Sequence, residues 1–110
     1  MAPRIARYRW DEIPLDKVTE MVARKTLGGA DLELTQAYFK KGTRVALHAH
    51  PGERLLYVLQ GVVRVIAGND DATLREGELL VLPPDVAHEA EIFDDAFVLE
   101  VGRKKTEEDG

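Results

Sequence analysis

Apolar and polar residues alternate along most of the chain from residue 32 onward. In LELTQAYF and TRVALHAH the alternation has a period of two, which places successive side chains on opposite faces of a strand. Further apolar runs follow in RLLYVLQ, VVRVIA, ELLVLP, AHEAEIF and AFVLEV. Turn-forming residues separate the runs, at Lys41-Gly42, Gly61, Asn69-Asp70, Glu76-Gly77 and Asp94-Asp95. About eight short strands at this spacing predict an all-β fold, either an antiparallel sandwich or a small barrel.

The N-terminal part of the chain has a mixed pattern. Between Pro14 and Leu27, Leu15, Val18 and Val22 recur at helical spacing, but the glycines at 28–29 would end a helix early. A short helix and a strand both fit this segment. The sequence therefore predicts a short N-terminal segment that is helical or extended.

Two of the runs, RLLYVLQ and ELLVL, are apolar at nearly every position. A strand with one face in water would not keep such a pattern, so both faces are expected to be covered. The outer face is covered either by a second subunit, which predicts a homodimer, or by the second sheet or the N-terminal segment.

The composition limits the classes of function. A length of 110 residues and 45% hydrophobic residues predict one domain spanning 1–110, with a charged tail at 103–110 that is usually solvated. The net charge of −5 argues against nucleic acid as a partner. No stretch approaches the roughly 18 apolar residues of a membrane span, and the N-terminal stretch is charged, so we expect a cytoplasmic protein. Cysteine is absent, so any metal must bind nitrogen or oxygen.

The chain has three histidines. His48 and His50 are two residues apart on a predicted strand, so their side chains share a face and can approach one cation. Such a pair also occurs by chance. His88 follows Pro83-Pro84-Asp85 at the start of another strand. It either joins the same site from a neighbouring strand or forms a hydrogen bond within a turn at the barrel rim.

Two spaced motifs resemble those of the cupin superfamily. The first, at 42–61, contains Gly42, His48, His50, position 54 and Gly61. The second, at 77–92, contains Gly77, Pro83, Asp85 where glycine is usual, His88, and Ile92 where asparagine is usual. The resemblance implies a double-stranded β-helix, the cupin jelly-roll barrel, which is commonly dimeric and holds a divalent metal near one end.

Within the superfamily the sequence is similar to the small KdgF-type cupins of pectin degradation. The similar segments are Trp10-Asp11-Glu12-Ile13-Pro14, Arg24-Lys25-Thr26, Phe39-Lys40-Lys41-Gly42, His48-Ala49-His50-Pro51, Tyr57-Val58-Leu59, and Pro83-Pro84 with His88. Those cupins are associated with converting unsaturated monouronates to linear keto sugars, with three histidines and one glutamine as metal ligands. The resemblance implies that His48, His50 and His88 are ligands. Arg54 stands at the glutamine position, an acidic residue of the last strand is kept as Glu100, and Gly102 stands near a lost aromatic.

Arg54 is the main departure from that pattern, because a guanidinium about 6 Å from a divalent cation is repelled by about 5–6 kcal/mol at an effective dielectric constant near 20. Four arrangements resolve the conflict. Arg54 pairs with a carboxylate, for which the candidates are Glu53, Glu89, Glu91 and Glu100. Alternatively, Glu53 turns inward as a ligand, or an anionic ligand lies between the metal and Arg54. In the fourth arrangement no metal binds, and the histidines and Arg54 form an anion pocket.

Three functions remain open from the sequence. The first is an enzyme that acts on a small carboxylate such as a sugar acid, in which Arg54 binds the carboxylate and Glu100 moves a proton. The second is a three-histidine iron dioxygenase, and the third is a non-catalytic module that binds a small, anionic molecule. The metal's identity stays open among Zn, Ni, Mn, Fe and Cu, since a nitrogen-rich site takes nickel, copper or zinc in the tube whatever it holds in the cell. Gln36, Tyr38 and Tyr57 are further candidates for the pocket wall.

Overall fold

A computed structural model describes residues 4–104. It contains a three-residue 3-10 helix, Trp10–Glu12, and eight strands within that range. The strands are β1 Asp16–Lys17, β2 Val22–Gly28, β3 Leu32–Phe39, β4 Arg44–His48, β5 Arg54–Ala67, β6 Asp70–Leu74, β7 Leu79–Leu82 and β8 His88–Arg103. No helix in the described range is long and apolar enough to cross a lipid bilayer. The all-β prediction is confirmed, and residues 105–110 of the predicted charged tail lie outside the described residues.

The two longest strands, β5 and β8, organise the barrel. They pair antiparallel with each other. On its other side, each long strand pairs with two short strands, one after the other. The first half of β5 pairs with β7 and the second half with β6, whereas β8 pairs first with β4 and then with β3. The register of β5 on β8 shifts between Val58 and Val63. Such irregularities bend strands, so each long strand passes from one wall to the other and the sheet closes into a jelly-roll barrel.

Two of the predicted strand breaks are wrong. The structure continues β5 through Gly61 and continues β8 through Asp94-Asp95. Gly61 has a φ of +97°, and a Cβ at this position would lie 2.4 Å from the Asp95 carbonyl oxygen. The glycine therefore serves a bulge at which the two backbones approach closely, and it does not end the strand.

The N-terminal segment is extended, which confirms one of the two alternatives. Residues of the Pro14–Leu27 stretch form β1 and β2, and β2 ends at Gly28, where the predicted stop lies. β2 pairs with β3 over seven residues, from Val22 opposite Phe39 to Gly28 opposite Glu33. A helix would forgo these ladder hydrogen bonds, so pairing with β3 decides the conformation of this segment.

The core lies between the two walls of the barrel. Its buried cluster is Leu56, Val58, Val63, Val65, Leu74, Leu82, Ile92, Ala96 and Val98. Complete burial of one such side chain contributes about 1.5–3 kcal/mol. Ile92 replaces the usual asparagine of the second motif and is part of this core. Toward one end the barrel opens into a cavity of about 910 Å³, which is large enough for a small molecule.

The outer face of β5 and β7 is apolar and exposed. Leu55 lies opposite Val81, and Tyr57 lies opposite Leu79. The four residues retain 37% to 60% of their surface exposed. Within residues 4–104, therefore, neither the second sheet nor the N-terminal segment covers this face.

Candidate metal centre

The three histidines meet at the open end of the barrel. His48 is the last residue of β4, and His88 is the first residue of β8. The two histidines lie opposite each other as register partners of β4 and β8. His50 follows two residues after His48, and one ligand atom from each of the three residues lies within 4.8 Å of the others. The fold thus brings together the three ligands predicted from the motifs, although 40 positions separate the first from the last in sequence.

Two of the histidines have their ring orientation fixed by the backbone. His48 Nδ1 lies 2.7 Å from the Ala46 carbonyl oxygen, and His88 Nδ1 lies 3.0 Å from the Val86 carbonyl oxygen. A carbonyl can only accept, so the contact assigns the Nδ1 as the donor, and in the neutral tautomer with this bond the Nε2 offers its lone pair to a metal. This is the usual orientation of metal-binding histidines. The donor set of three imidazoles suits a divalent transition metal.

A backbone hydrogen bond connects two loops beside the histidine cluster. The Asp85 N–H donates to the His50 carbonyl oxygen over 2.7 Å. Asp85 has a φ of +62°, in the left-handed region that the usual glycine of the motif would adopt easily. Aspartate is among the few other residues that tolerate this region. The bond joins the loop after β7 to the loop after β4 beside the histidines.

Arg54, at the start of β5, pairs with Glu100 of β8. The Arg54 Nη1 lies 3.4 Å from Glu100 Oε2, and only 16% of the Arg54 side chain is exposed. Of the other candidate partners, Glu91 lies 3.8 Å from Arg64, and Glu53 and Glu89 are exposed. Glu53 is also outside the histidine group of possible ligands. The structure thus favours the arrangement in which Arg54 pairs with a carboxylate, and Glu100 is that carboxylate.

Gly102 makes room for the Arg54 side chain. The two residues are register partners on β8 and β5. A Cβ on Gly102 would lie 2.9 Å from Arg54 Cγ and 3.3 Å from its Nε. The aliphatic part of Arg54 therefore lies against the bare backbone of β8.

Sequence reasoning missed two hydroxyl residues of the cavity wall. Thr26 and Thr35 line the cavity, and their hydroxyl oxygens are 3.1 Å apart. Thr35 is the register partner of Glu100, so this polar pair lies beside the Arg54–Glu100 pair. Only the register of β3 on β8 would have indicated these residues.

The three wall candidates Gln36, Tyr38 and Tyr57 do not line this cavity. Residues 36 and 38 alternate with the inward-facing Thr35 and therefore take the opposite face of β3. Tyr38 contacts Phe97 instead, with the ring centroids 4.8 Å apart.

Comparison with known families gives a match to the Cupin domain over residues 36–101. The chain belongs to the cupin family. The matched range contains all three histidines, Arg54 and Glu100. A comparison with curated proteins finds no match.

Several solved structures share the cupin fold. KdgF from Halomonas sp. has a TM-score of 0.82 at 23% identity, with 94% of this chain and 98% of that chain covered. An RmlC-like cupin from Shewanella frigidimarina also has a TM-score of 0.82, at 20% identity and 92% coverage of both chains. The polyketide cyclase RemF from Streptomyces resistomycificus has a TM-score of 0.77 at 16% identity, covering 93% of this chain and 81% of that chain. At these identities the likeness shows the fold.

Proposed function

We propose that this cupin binds a divalent transition metal through His48, His50 and His88 and acts on a small carboxylate-bearing molecule, with sugar acids as the first class to test. The observation that supports this most is the shared cavity. Three imidazoles and the guanidinium of Arg54 line one space of about 910 Å³. The resemblance to KdgF-type cupins supports the choice of uronates.

Each residue has a separate role in this proposal. A divalent cation held by three neutral ligands keeps its full charge and would supply Lewis acidity. Arg54 donates two parallel N–H groups to the carboxylate of the ligand and so fixes its orientation. Glu100, once the ligand has replaced it on Arg54, accepts a proton from a ligand hydroxyl and later returns it.

A second candidate is a cupin that binds an anion without turnover. It is supported by the Arg54 guanidinium and the three histidines, which line one cavity and can bind an anion without any reaction following. The third function, an iron dioxygenase, requires iron at the same three histidines. Replacement of iron by zinc would abolish an oxygenase, whereas a Lewis-acid enzyme would retain activity, so metal exchange separates these two.

The proposal predicts that Arg54 binds the carboxylate and opposes the metal. We expect near-stoichiometric metal by elemental analysis of protein purified without an affinity tag. In metal-loaded protein, the change Arg54→Met is expected to weaken the binding of galacturonate, measured by calorimetry, by about tenfold or more, because it removes a charge-assisted hydrogen bond.

The Arg54→Gln change restores the glutamine of the related cupins and should bind metal more tightly than wild type. Glu53→Gln, which changes the neighbouring exposed carboxylate, serves as the control and should leave both affinities unchanged. Metal in Arg54→Gln but none in wild type would contradict metal-dependent catalysis and leave an anion pocket.

We also propose that the cupin is a homodimer through the exposed apolar face of Leu55, Tyr57, Leu79 and Val81. Stable interfaces bury about 800 Å² per partner and have an apolar centre. The four residues of this face would form that apolar centre. Val81→Lys is expected to give monomers in size-exclusion chromatography with light scattering, because a charge would be buried at the centre of the interface. Leu47→Lys, at a 64% exposed apolar residue of β4, is the control. If wild type is a dimer, a dimer mass in Val81→Lys would exclude this face as the interface.

The cytoplasmic location stays a prediction.

A further inference from the structure

The contact between Arg54 and Glu100 has a bearing on metal binding itself. We propose that Glu100, without being a ligand, sets the metal affinity of the three-histidine site by holding the Arg54 guanidinium away from it. This inference rests on the proposed metal binding and adds a positioning role for Glu100. It also explains how a cupin can keep its three histidines after a cation has replaced the fourth ligand.

The need for such a residue follows from the chemistry of arginine. The guanidinium stays protonated at any working pH, so it cannot remove the conflict by losing its charge. A guanidinium about 6 Å from a divalent cation would lower the affinity by up to about four decades at an effective dielectric constant near 20. Arg54 is only 16% exposed, so solvent screens it incompletely. Its position, and not its protonation, must decide whether metal binds.

The structure fixes that position from two sides. The Arg54 stem lies against Gly102, where any Cβ would come within 2.9 Å of Arg54 Cγ. Its Nη1 then reaches Glu100 Oε2 at 3.4 Å. Glu100 lies between two neighbouring strands, with Thr35 of β3 and Leu56 of β5 as register partners. The carboxylate is therefore attached to a part of the sheet that is paired on both sides.

Glu100 would act on the metal in two ways that can be separated. Its negative charge attracts any cation in the cavity, whether or not Arg54 is present. Its contact with Arg54 has an effect only when Arg54 is present. If the contact matters, removal of Glu100 weakens metal binding much more with arginine at position 54 than with a neutral residue there.

The test is a double-mutant cycle on the affinity for Zn²⁺. Wild type, Glu100→Gln, Arg54→Met and the double variant are titrated with Zn²⁺ in competition with a chromophoric chelator. Methionine keeps an unbranched stem against Gly102 and offers no charge. We expect Glu100→Gln to weaken Zn²⁺ binding at least about tenfold more when Arg54 is present than in the Arg54→Met background, where only the direct attraction of the carboxylate for the cation is lost.

Two controls accompany the cycle. Glu53→Gln removes an exposed carboxylate next to Arg54 and is expected to change the Zn²⁺ affinity less than about twofold. Thermal unfolding of the four metal-free proteins shows whether each variant is folded, and only folded variants enter the cycle. If Glu100→Gln does not fold, Glu100→Ala and Glu100→Asp take its place.

Each outcome decides the inference. Equal effects of Glu100→Gln in both backgrounds would overturn it and leave the proposed metal binding intact. Zn²⁺ binding by Arg54→Met but not by wild type would overturn it as well, because Glu100 would then fail to hold Arg54 away. Absence of Zn²⁺ binding in all four proteins would overturn both proposals.

Discussion

Replacement of Gly61 by alanine is expected to destabilise this cupin by about 4 kcal/mol or more, which is near the upper end for single substitutions. The added Cβ would lie 2.4 Å from the Asp95 carbonyl oxygen and 2.7 Å from Ala96 Cα. Both atoms belong to the backbone of β8, so the two long strands would have to separate where the barrel bends. The positive φ of Gly61 adds about 1–2 kcal/mol for any residue with a Cβ. Urea unfolding followed by circular dichroism measures the loss.

Gly68→Ala is the matched control for this prediction. Gly68 also has a positive φ, +60°, but no atom lies within 4 Å of its added Cβ. The control therefore contains the backbone strain without the collision, and we expect it to lose only about 1–2 kcal/mol. Similar losses in the two variants would show that the approach of β5 to β8 at Gly61 is not as tight as described.

The second large effect concerns His88. The change His88→Asn is expected to weaken Zn²⁺ binding more than about 100-fold. Loss of a residue that only orients a ligand lowers metal affinity by about 10- to 100-fold, and loss of the ligand itself should have a larger effect. Asparagine is chosen because its amide can still donate to the Val86 carbonyl oxygen, which accepts from His88 Nδ1 in the wild type. The variant thus removes Nε2 while it keeps the local hydrogen bond of a buried residue.

The measurement is the stabilisation of the fold by Zn²⁺. At a free concentration about 100 times the wild-type dissociation constant, Zn²⁺ stabilises wild type by about 2.7 kcal/mol. A variant that binds about 100-fold more weakly would gain only about 0.4 kcal/mol at that concentration. The metal-free stability of His88→Asn, measured in the same buffer, controls for damage to the fold. A variant with the full Zn²⁺ stabilisation would show that His88 is not a ligand.

The histidine cluster could be predicted from sequence because it depends on local geometry and motif spacing. Residues two apart on a strand share a face, which brings His48 and His50 together without knowledge of the rest of the fold. His88 required the resemblance to cupins, since nothing in its own neighbourhood shows that β8 pairs with β4. Its position opposite His48 depends on contacts between distant segments.

The partner of Arg54 could not be predicted for the same reason. Four glutamates were compatible with the sequence, and the register of β5 on β8 selects Glu100 among them. That register shifts between Val58 and Val63, so a regular pairing extended from the other end of the two strands would have given the wrong partner. The two wrong strand breaks have the same origin, because glycine and paired aspartates mark bulges as well as turns.

The hydrogen bond from the Asp85 amide to the His50 carbonyl has a practical consequence for following this protein in solution. An amide proton in such a bond exchanges with deuterium only when the two loops separate. The exchange rate of this single proton therefore reports how often the histidine end of the barrel opens. A metal bound by His50, in the loop after β4, and by His88, at the start of β8 just after the other loop, would hold the same two segments together, so the exchange of the Asp85 amide should slow as metal is added. The exchange rate of one amide resonance would then measure the fraction of molecules in which the histidine end is open, without a substrate or an activity assay.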